Sequence, residues 1–329
     1  MTTLMKYRWT FATMVMATLL LSACSAKGDM TNPAESLKSV ALIFQSSQGD
    51  YWKTVRMGAE AAAKEFNLQI SITSPERGED INGQLELVHQ AIKDGADGLV
   101  LAANDFDFEG FTEIAELAAS KHISVITIDS EADSPQAKGY IGINNYEAGQ
   151  KAAKKLMELV GERGRIAVMS FDKGTKNTRQ REAGLLEELA KYPQVQLADK
   201  EYCDTDSVHC EGLAEKLLGM DQPIDGLVAL NAISSIGAAS TIHRMGLAGK
   251  VKVVTFDNTP ENIGFLQDGV IQATIIQNPF IMGYLGVKHV AQAIDGHKIP
   301  EFIDTGTKVI DQENMFWLDN QKLLFPFVQ

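Results

Sequence analysis

Cysteine, histidine and basic side chains are all scarce in this sequence of 329 residues, and each scarcity argues against a class of protein. Three cysteines are too few for a disulfide scaffold and do not complete a four-ligand zinc site. The six histidines are scattered, with no H-E-x-x-H pattern, so we expect no bound metal. Lysine and arginine total 30 against 43 acidic residues, a net charge of -13. Because nucleic acids bind to basic surfaces, we expect no nucleic-acid partner.

Common catalytic motifs are absent as well. The sequence contains no G-x-S-x-G nucleophile elbow, no G-x-x-x-x-G-K-[ST] phosphate loop and no complete dinucleotide fingerprint. We therefore predict a protein that is not an enzyme and that uses no cofactor. Hydrophobic residues make up 45% of the chain, which is ample material for a folded core and argues against a disordered protein.

The amino-terminal segment has the features of a lipoprotein signal peptide. Two basic residues precede an apolar run, 9–21, which is too short to span a bilayer comfortably. The run ends in LSAC, residues 21–24, which resembles the bacterial lipobox. We expect a signal peptide over 1–23, acylation of Cys24 and a polar tether over 24–37. The alternative is an ordinary signal peptide with a cysteine nearby by chance.

Short apolar segments alternate with amphipathic ones from residue 39 onward. Segments 39–44, 98–102 and 124–129 are continuous, apolar and bounded by polar residues, as is typical of buried parallel strands. Between them, apolar residues recur at helical spacing, as in 81–92. This alternation predicts an α/β fold with parallel sheets.

The chain also repeats itself at a fixed offset. DGLV at 97–100 recurs at 225–228, and VITID at 125–129 is matched by VVTFD at 253–257, both 128 residues later. A shared offset predicts two lobes built on one plan, each ending a strand with an aspartate, Asp129 or Asp257. Since ligands bind beyond the carboxyl ends of parallel strands, we expect both carboxylates in one cleft. Helix N-capping is the alternative role for an aspartate at such a turn.

Further segments carry a family resemblance: QGDYW (48–52), VITID (125–129), TRQR (178–181) with Gly184, Asn231, FDNTP (256–260) and ATIIQ (273–277). From about residue 38, the chain resembles the ribose-binding-protein group of periplasmic sugar-binding proteins. The resemblance implies the type 1 periplasmic binding protein fold, with two doubly wound parallel-sheet lobes joined by a three-strand hinge. It implies crossings near 142, 277 and 306. The first lobe is then 38–142 plus 277–306, and the second is 143–276 plus 307–329.

The resemblance also implies a set of ligand-binding residues: Tyr51, Trp52, Asp129, Arg179, Asn231, Asp257 and Gln277. Carboxylates accept hydrogen bonds from vicinal hydroxyls, arginine donates in a rigid fork, and aromatic rings cover apolar sugar faces. For Tyr51 and Trp52, the alternative role is anchoring the first helix in the core. Arg179 and Arg181 cannot both point inward, because such close neighbours on a helix diverge; we expect Arg179 to reach the ligand.

One departure from the family bears on the choice of sugar. The family often has Asp-Arg where this chain has Asp129-Ser130, so one guanidinium is missing. We expect the pocket to accept a hexose or a substituted sugar better than ribose. Elsewhere, Cys203 and Cys210 form either a disulfide, as export favours, or two separate buried thiols.

These observations predict an exported, lipid-anchored monomer that captures a small carbohydrate between its lobes. An ABC-type permease is the expected membrane partner. The alternative is a sensory protein that presents the sugar to a membrane receptor or histidine kinase, and the sequence does not separate the two.

Overall fold

The computed structural model describes residues 37–46, 49–76, 80–103, 109–131, 134–171, 173, 175–203 and 206–325. The predicted signal peptide and Cys24 lie outside the described residues.

The first lobe is a six-stranded sheet with helices on both sides. Its strands are β1 (Ser39–Ile43), β2 (Gln69–Thr73), β3 (Gly98–Leu101), β4 (Ser124–Ile128), β5 (Ala137–Gly142) and β11 (Phe302–Asp304). Its helices are α1 (Gly49–Glu65), α2 (Ile81–Lys93), α3 (Glu109–Ser120) and α9 (Pro279–Ile294). The strand order is β11-β5-β4-β3-β1-β2, and every pairing is parallel.

The second lobe repeats this plan. Its strands are β6 (Arg163–Ser170), β7 (Gln194–Tyr202), β8 (Gly226–Ala229), β9 (Lys252–Phe256), β10 (Ala273–Ile276) and β12 (Lys308–Asp311). Its helices are α4 (Asn145–Val160), α5 (Lys176–Leu189), α6 (Ser207–Leu218), α7 (Ala232–Arg244), α8 (Pro260–Gln267) and α10 (Leu318–Leu324). The order is β12-β10-β9-β8-β6-β7, with all pairings parallel except β10 with β12.

The chain passes between the two sheets three times: between β5 and α4, between β10 and α9, and between β11 and β12. Hydrogen bonds tie two of these connections together. The backbone N–H of Thr305 donates to the carbonyl of Gly142 over 2.7 Å, and that of Asn144 donates to Asp304 Oδ1 over 3.3 Å. The predicted fold class, two α/β lobes with parallel-rich sheets, is confirmed.

Each lobe contains a pair of helices whose backbones touch. In the first lobe, a Cβ at Gly58 of α1 would lie 1.9 Å from the carbonyl oxygen of Phe280 in α9. In the second lobe, a Cβ at Gly184 of α5 would lie 1.9 Å from the carbonyl oxygen of Tyr146 in α4. Only glycine permits so close an approach. Because α4 and α9 both follow a crossing, these contacts fix each lobe relative to the hinge.

The repeated DGLV segment has a packing role in both lobes. A Cβ at Gly98 would meet Val290 of α9 at 2.6 Å, and one at Gly226 would meet Leu156 of α4 at 2.9 Å. The central strands β3, β4, β8 and β10 are buried along their whole length, and their sequences are accordingly rich in apolar residues. The sheets therefore hold their carboxyl edges rigidly, and the candidate site lies at those edges.

Candidate functional site

The two strand-end aspartates have the same backbone conformation in the two lobes. Asp129 follows β4 with φ of 60°, and Asp257 follows β9 with φ of 70°. Each backbone N–H donates to the strand beyond, Asp129 to Ile141 O over 3.0 Å and Asp257 to Ile275 O over 2.9 Å. A residue with left-handed backbone conformation turns its side chain away from the direction of the strand. Aspartate tolerates this conformation better than most residues do.

Helix capping does not explain either aspartate. The N-cap of α8 is Thr259, whose side chain accepts from the backbone N–H of Asn262. Asp129 is followed by strand β5 and not by a helix. Both carboxylates are therefore available for other contacts at the carboxyl edges of their sheets.

Tyr51 and Trp52 lie at the start of α1, facing Asp129. The Tyr51 hydroxyl donates to Asp129 Oδ1 over 2.5 Å and lies 3.2 Å from Met282 Sδ. The Trp52 ring meets that of Tyr51 edge to face at 5.1 Å and that of Phe44 at 5.0 Å. Tyr51 thus joins the polar cluster, whereas Trp52 packs between Tyr51 and the core of the first lobe.

The inward-pointing arginine is Arg181, and the expectation for Arg179 needs correcting. Arg181 is only 3% exposed, and it donates from Nε to Asn145 Oδ1 over 2.8 Å and from a terminal nitrogen to Leu230 O over 2.7 Å. Its guanidinium lies 4.7 Å from the centre of the Phe256 ring. Arg179, by contrast, is exposed.

The reason is the face that α5 turns toward α4. Arg181 and Gly184 are three residues apart and share a face, and Gly184 is the point of closest backbone contact with α4. Arg179 lies two positions before Arg181, so it points away from this face. Gly184 identifies the inward face of α5 only once its contact with α4 is known.

Gln277 and Asn231 lie near Asp257 in different ways. Gln277 donates from Nε2 to Asp257 Oδ1 over 2.8 Å, while its Oε1 is buried without a hydrogen-bond partner. Asn231 is the N-cap of α7, and its Oδ1 accepts from the backbone N–H of Ser234 over 2.9 Å. The backbone N–H of Ala232, the first residue of that helix, also donates to Asp257.

The electrostatics of the cluster depend on burial. Burial raises the pKa of Asp129 from its ordinary value of 3.8 to about 6, while the Tyr51 hydrogen bond and the charge of Arg181 oppose the rise. Burial also raises the pKa of Asp257, against the charge of Arg181 and the hydrogen bond from Gln277. For both carboxylates, the effect of burial on the pKa outweighs the hydrogen bonds and the charge of Arg181, so the ionised form is disfavoured.

The cluster is assembled from both lobes. Tyr51 and Asp129 belong to the first lobe, Arg181 and Asp257 to the second, and Gln277 to a crossing. A cavity of about 330 Å³ lies between the lobes beside this cluster. Its lining residues include Asp50, Tyr51 and Thr54 from the first lobe and Asp257, Ile263 and Phe325 from the second.

An ion pair also crosses between the lobes. Lys176, the first residue of α5, places Nζ 2.8 Å from a carboxylate oxygen of Glu131, which follows Ser130 in the first lobe. This pair shows that the lobes contact each other across the cleft in this structure.

Several residues of the cluster carried no family signal in the sequence. Asn145 accepts from Arg181, Tyr140 donates to the carbonyl of Asp129 over 2.8 Å, and Met282 contacts Tyr51. Each lies at an end of a strand or helix beside a crossing, and that position is the only feature that marks them.

Cys203 and Cys210 are joined by a disulfide in the structure, which is one of the two alternatives that the sequence left open. Across the described ranges, no group of three or more His, Cys, Asp or Glu side chains is arranged to hold a metal ion. Within the same residues, no helix combines the length and apolarity needed to cross a membrane.

The structure thus has a cavity and a cluster of polar side chains between two lobes built on parallel-rich sheets, an arrangement suited to binding a small molecule. The chain belongs to the periplasmic binding protein domain family, which matches residues 40–298.

Individual relatives agree with this assignment. The chain is 24% identical over 288 residues to the D-allose-binding periplasmic protein of Escherichia coli, covering 83% of this chain and 92% of that protein. It is 23% identical to the ribose import binding protein RbsB of Bacillus subtilis, covering 91% and 97%. It is similar, with a TM-score of 0.82 and 26% identity, to the structure of an ABC transporter solute-binding protein from Agrobacterium vitis with bound D-fucose, covering 87% and 99%.

The chain thus has the fold of the sugar-binding solute-binding proteins of ABC transporters, and it is a binding protein and not an enzyme.

Proposed function

We propose that the protein is a lipid-anchored extracytoplasmic solute-binding protein that captures a small carbohydrate in the cleft between its lobes. The observation that carries the proposal is the convergence of Asp129 and Asp257 from equivalent positions of the two sheets, with Arg181 acting on both of them. Two carboxylates and one guanidinium match the donor and acceptor pattern of vicinal hydroxyls.

Each group has a role toward a polyol. Asp129 and Asp257 accept from hydroxyls, and each hydroxyl donor favours the ionised carboxylate. Arg181 donates to hydroxyl oxygens from the guanidinium hydrogens not used by Asn145 and Leu230. Gln277 offers its unpartnered Oε1, and Tyr51 offers its ring to an apolar sugar face.

The contacts between the lobes link binding to closure. The Lys176–Glu131 ion pair joins the two lobes and requires the closed arrangement. A ligand that touches both carboxylates binds the closed state better than an open one and shifts the population toward it by its differential affinity.

Membrane attachment and delivery to an ABC-type importer complete the proposal. The LSAC motif at 21–24 supports acylation of Cys24. Transport, in preference to sensing, is supported by relatives that are import binding proteins. The ribose-binding and allose-binding relatives support a monosaccharide-sized ligand.

The decisive experiment identifies the ligand directly. Protein purified without refolding is denatured, and the released small molecules are identified by mass spectrometry. In parallel, the unfolded and refolded protein is screened against monosaccharides by thermal shift. We expect a released carbohydrate that raises the melting temperature. If no carbohydrate is released and none stabilises the protein, the proposal is wrong.

Attachment is tested separately. Metabolic labelling with a fatty-acid probe should mark the wild-type chain and not the Cys24→Ala variant. Equal labelling of both chains would contradict the lipid anchor without affecting carbohydrate binding.

A further inference from the structure

The charges of the cluster do not balance. Asp257 and Arg181 are buried and Asp129 is half-buried, so the cluster contains two carboxylates and one guanidinium. Two lysines close in sequence to cleft residues are already paired. Lys176 is paired with Glu131 over 2.8 Å, and Lys53 is paired with Asp50 over 2.8 Å. Counted over the described residues, the cluster therefore carries an excess of one negative charge.

Two buried side-chain oxygens at the cluster have no hydrogen-bond partner. Gln277 is 5% exposed; its Nε2 donates one hydrogen bond to Asp257, and its Oε1 is buried without a partner. Ser130, adjacent to Asp129, is fully buried, and its Oγ has no partner. The Tyr51 hydroxyl is already used by Asp129, and Arg181 uses two of its five N–H groups on Asn145 and Leu230, so neither group satisfies the Gln277 oxygen.

The adjacent cavity has the same character. Among the described residues that line its 330 Å³, the charged side chains are Asp50 and Asp257, and both are acidic. Its remaining walls are polar near Tyr51 and apolar near Ile263 and Phe325. Of the described residues that line this space, two are acidic and none is basic, so a ligand that extends into it from the cluster meets carboxylates.

From these three observations, we infer that the ligand carries a cationic amine, and that the substrate class is an amino sugar or amino polyol. This inference rests on the proposed carbohydrate-binding function and names the substrate class of the same site.

The physical reason is compensation of a buried charge. An ionised carboxylate that is removed from water is stabilised only when it is paired and hydrogen-bonded. An ammonium group supplies one positive charge and three donors, and it has no acceptor of its own. It therefore neutralises the excess charge and satisfies orphan acceptors such as Gln277 Oε1, whereas the hydroxyl of a neutral sugar supplies a single donor and no charge. Charge-assisted hydrogen bonds are also roughly twice as strong as neutral ones.

The test compares sugars that differ only at one group. Wild-type protein, freed of bound ligand by unfolding and refolding, is titrated calorimetrically at pH 7.5 with glucosamine and glucose, and with galactosamine and galactose. The N-acetyl derivatives of both amines serve as neutral controls of larger size. Of the two amino sugars, we expect the one with the higher affinity to bind at least tenfold more tightly than the corresponding neutral sugar. We expect N-acetylation of the amine to abolish this difference in affinity.

A pair of variants at one position separates charge from shape. Ser130→Arg adds the missing cation beside Asp129, so we expect it to remove the preference for the amine. Ser130→Ala leaves the charge unchanged and should retain the preference. Melting temperatures show whether each variant is folded, and the wild-type titrations decide the question if Ser130→Arg is not.

The outcomes distinguish the two proposals. If glucose and galactose bind more tightly than glucosamine and galactosamine, the amine inference is wrong and the proposed carbohydrate binding still holds. Binding of no sugar in the panel, together with release of no carbohydrate from the purified protein, overturns both. A released native ligand without an amine also overturns the inference.

Discussion

The two lobes share a plan but contribute different chemistry to the cleft. Both end a strand with an aspartate at positive φ, and both pack a pair of helices through glycine. The first lobe pairs its aspartate with the Tyr51 hydroxyl, while the second pairs its aspartate with the Gln277 amide. The only described arginine buried in the cluster comes from the second lobe. The two lobes therefore share the backbone features that frame the cleft. They differ in the side chains that contact the two aspartates, and we expect this difference to determine which ligand binds.

The largest expected effect comes from removing the positive charge of Arg181, which only the second lobe contributes to the described cluster. Arg181→Ala leaves both aspartates uncompensated and the acceptors Asn145 Oδ1 and Leu230 O unpaired. Truncating one member of a buried charged network costs about 2–5 kcal/mol, so we expect carbohydrate affinity to fall by about 100-fold or more. Calorimetry with the released native ligand measures the loss.

The matched control is Arg179→Ala, two positions away on the exposed side of α5. It removes the same side chain from the same helix, and we expect affinity to change less than about threefold, consistent with an exposed substitution. Equal losses in the two variants would refute the assignment of Arg181 to the cleft.

The glycine contacts that the lobes share give the next largest effect. Gly184→Ala in the second lobe and Gly283→Ala in the first place a Cβ within 2 Å of a backbone oxygen of the neighbouring helix. Overpacking of this kind costs about 1–3 kcal/mol, and we expect both variants to lose stability in urea unfolding.

Gly212→Ala is the control, because a Cβ there meets no atom within 4 Å. In the helix α6, alanine is favoured over glycine by about 1 kcal/mol, so this variant should be neutral or more stable. A loss limited to one lobe would show that the helix pairs are not equivalent.

The two aspartates allow a pH comparison. The pKa of Asp129 is raised from 3.8 to about 6 in the folded protein. The folded protein therefore binds more protons than the unfolded chain between these values. Its stability from this group is present below the lower value and is lost as pH rises through about 6. Ligand hydroxyls or an ammonium favour the ionised carboxylate, so binding releases a proton near pH 6.

From that linkage, we expect ligand affinity to be roughly tenfold weaker at pH 5 than at pH 7.5. Calorimetry in two buffers of different ionisation enthalpy measures both the affinity and the proton release. In Asp129→Asn the dependence should flatten, and a dependence that survives there but vanishes in Asp257→Asn would assign it to the other lobe.

The smallest effect is expected at the ion pair that joins the lobes. Lys176 and Glu131 are both partly exposed, with 25% and 34% of their side chains accessible. Pairs of this kind contribute about 0.2–1 kcal/mol, and salt screens them. Lys176→Gln should weaken ligand binding by less than about fivefold, and less so at high salt.

A double-mutant cycle with Glu131→Gln isolates the interaction from each residue's separate effects. A coupling in binding affinity with no coupling in the stability of the unliganded protein would indicate that the pair forms only on closure. Absence of any coupling energy would show that the Lys176–Glu131 pair does not contribute to closure.

Much of the frame was predictable from local sequence patterns. The apolar segments of β1, β3 and β4 predicted parallel strands because buried strands need apolar residues on both faces. The offset repeat predicted two similar lobes, and the positions of Asp129 and Asp257 followed from the rule that ligand sites lie beyond strand ends. The choice between Arg179 and Arg181 did not follow, because the helical phase of α5 depends on its contact with α4.

The sequence by itself thus determined the alternation of strands and helices, the two-lobed plan and the identity of the strand-end carboxylates, since these depend on short-range periodicity and on the carboxyl edges of parallel strands. Only the tertiary structure decided that Arg181 is buried, that Gln277 and Ser130 retain unpartnered buried oxygens, and that Tyr51 pairs with Asp129. Those properties arise where side chains from two lobes and a crossing meet, and no local segment contains the information about which groups will be left without partners.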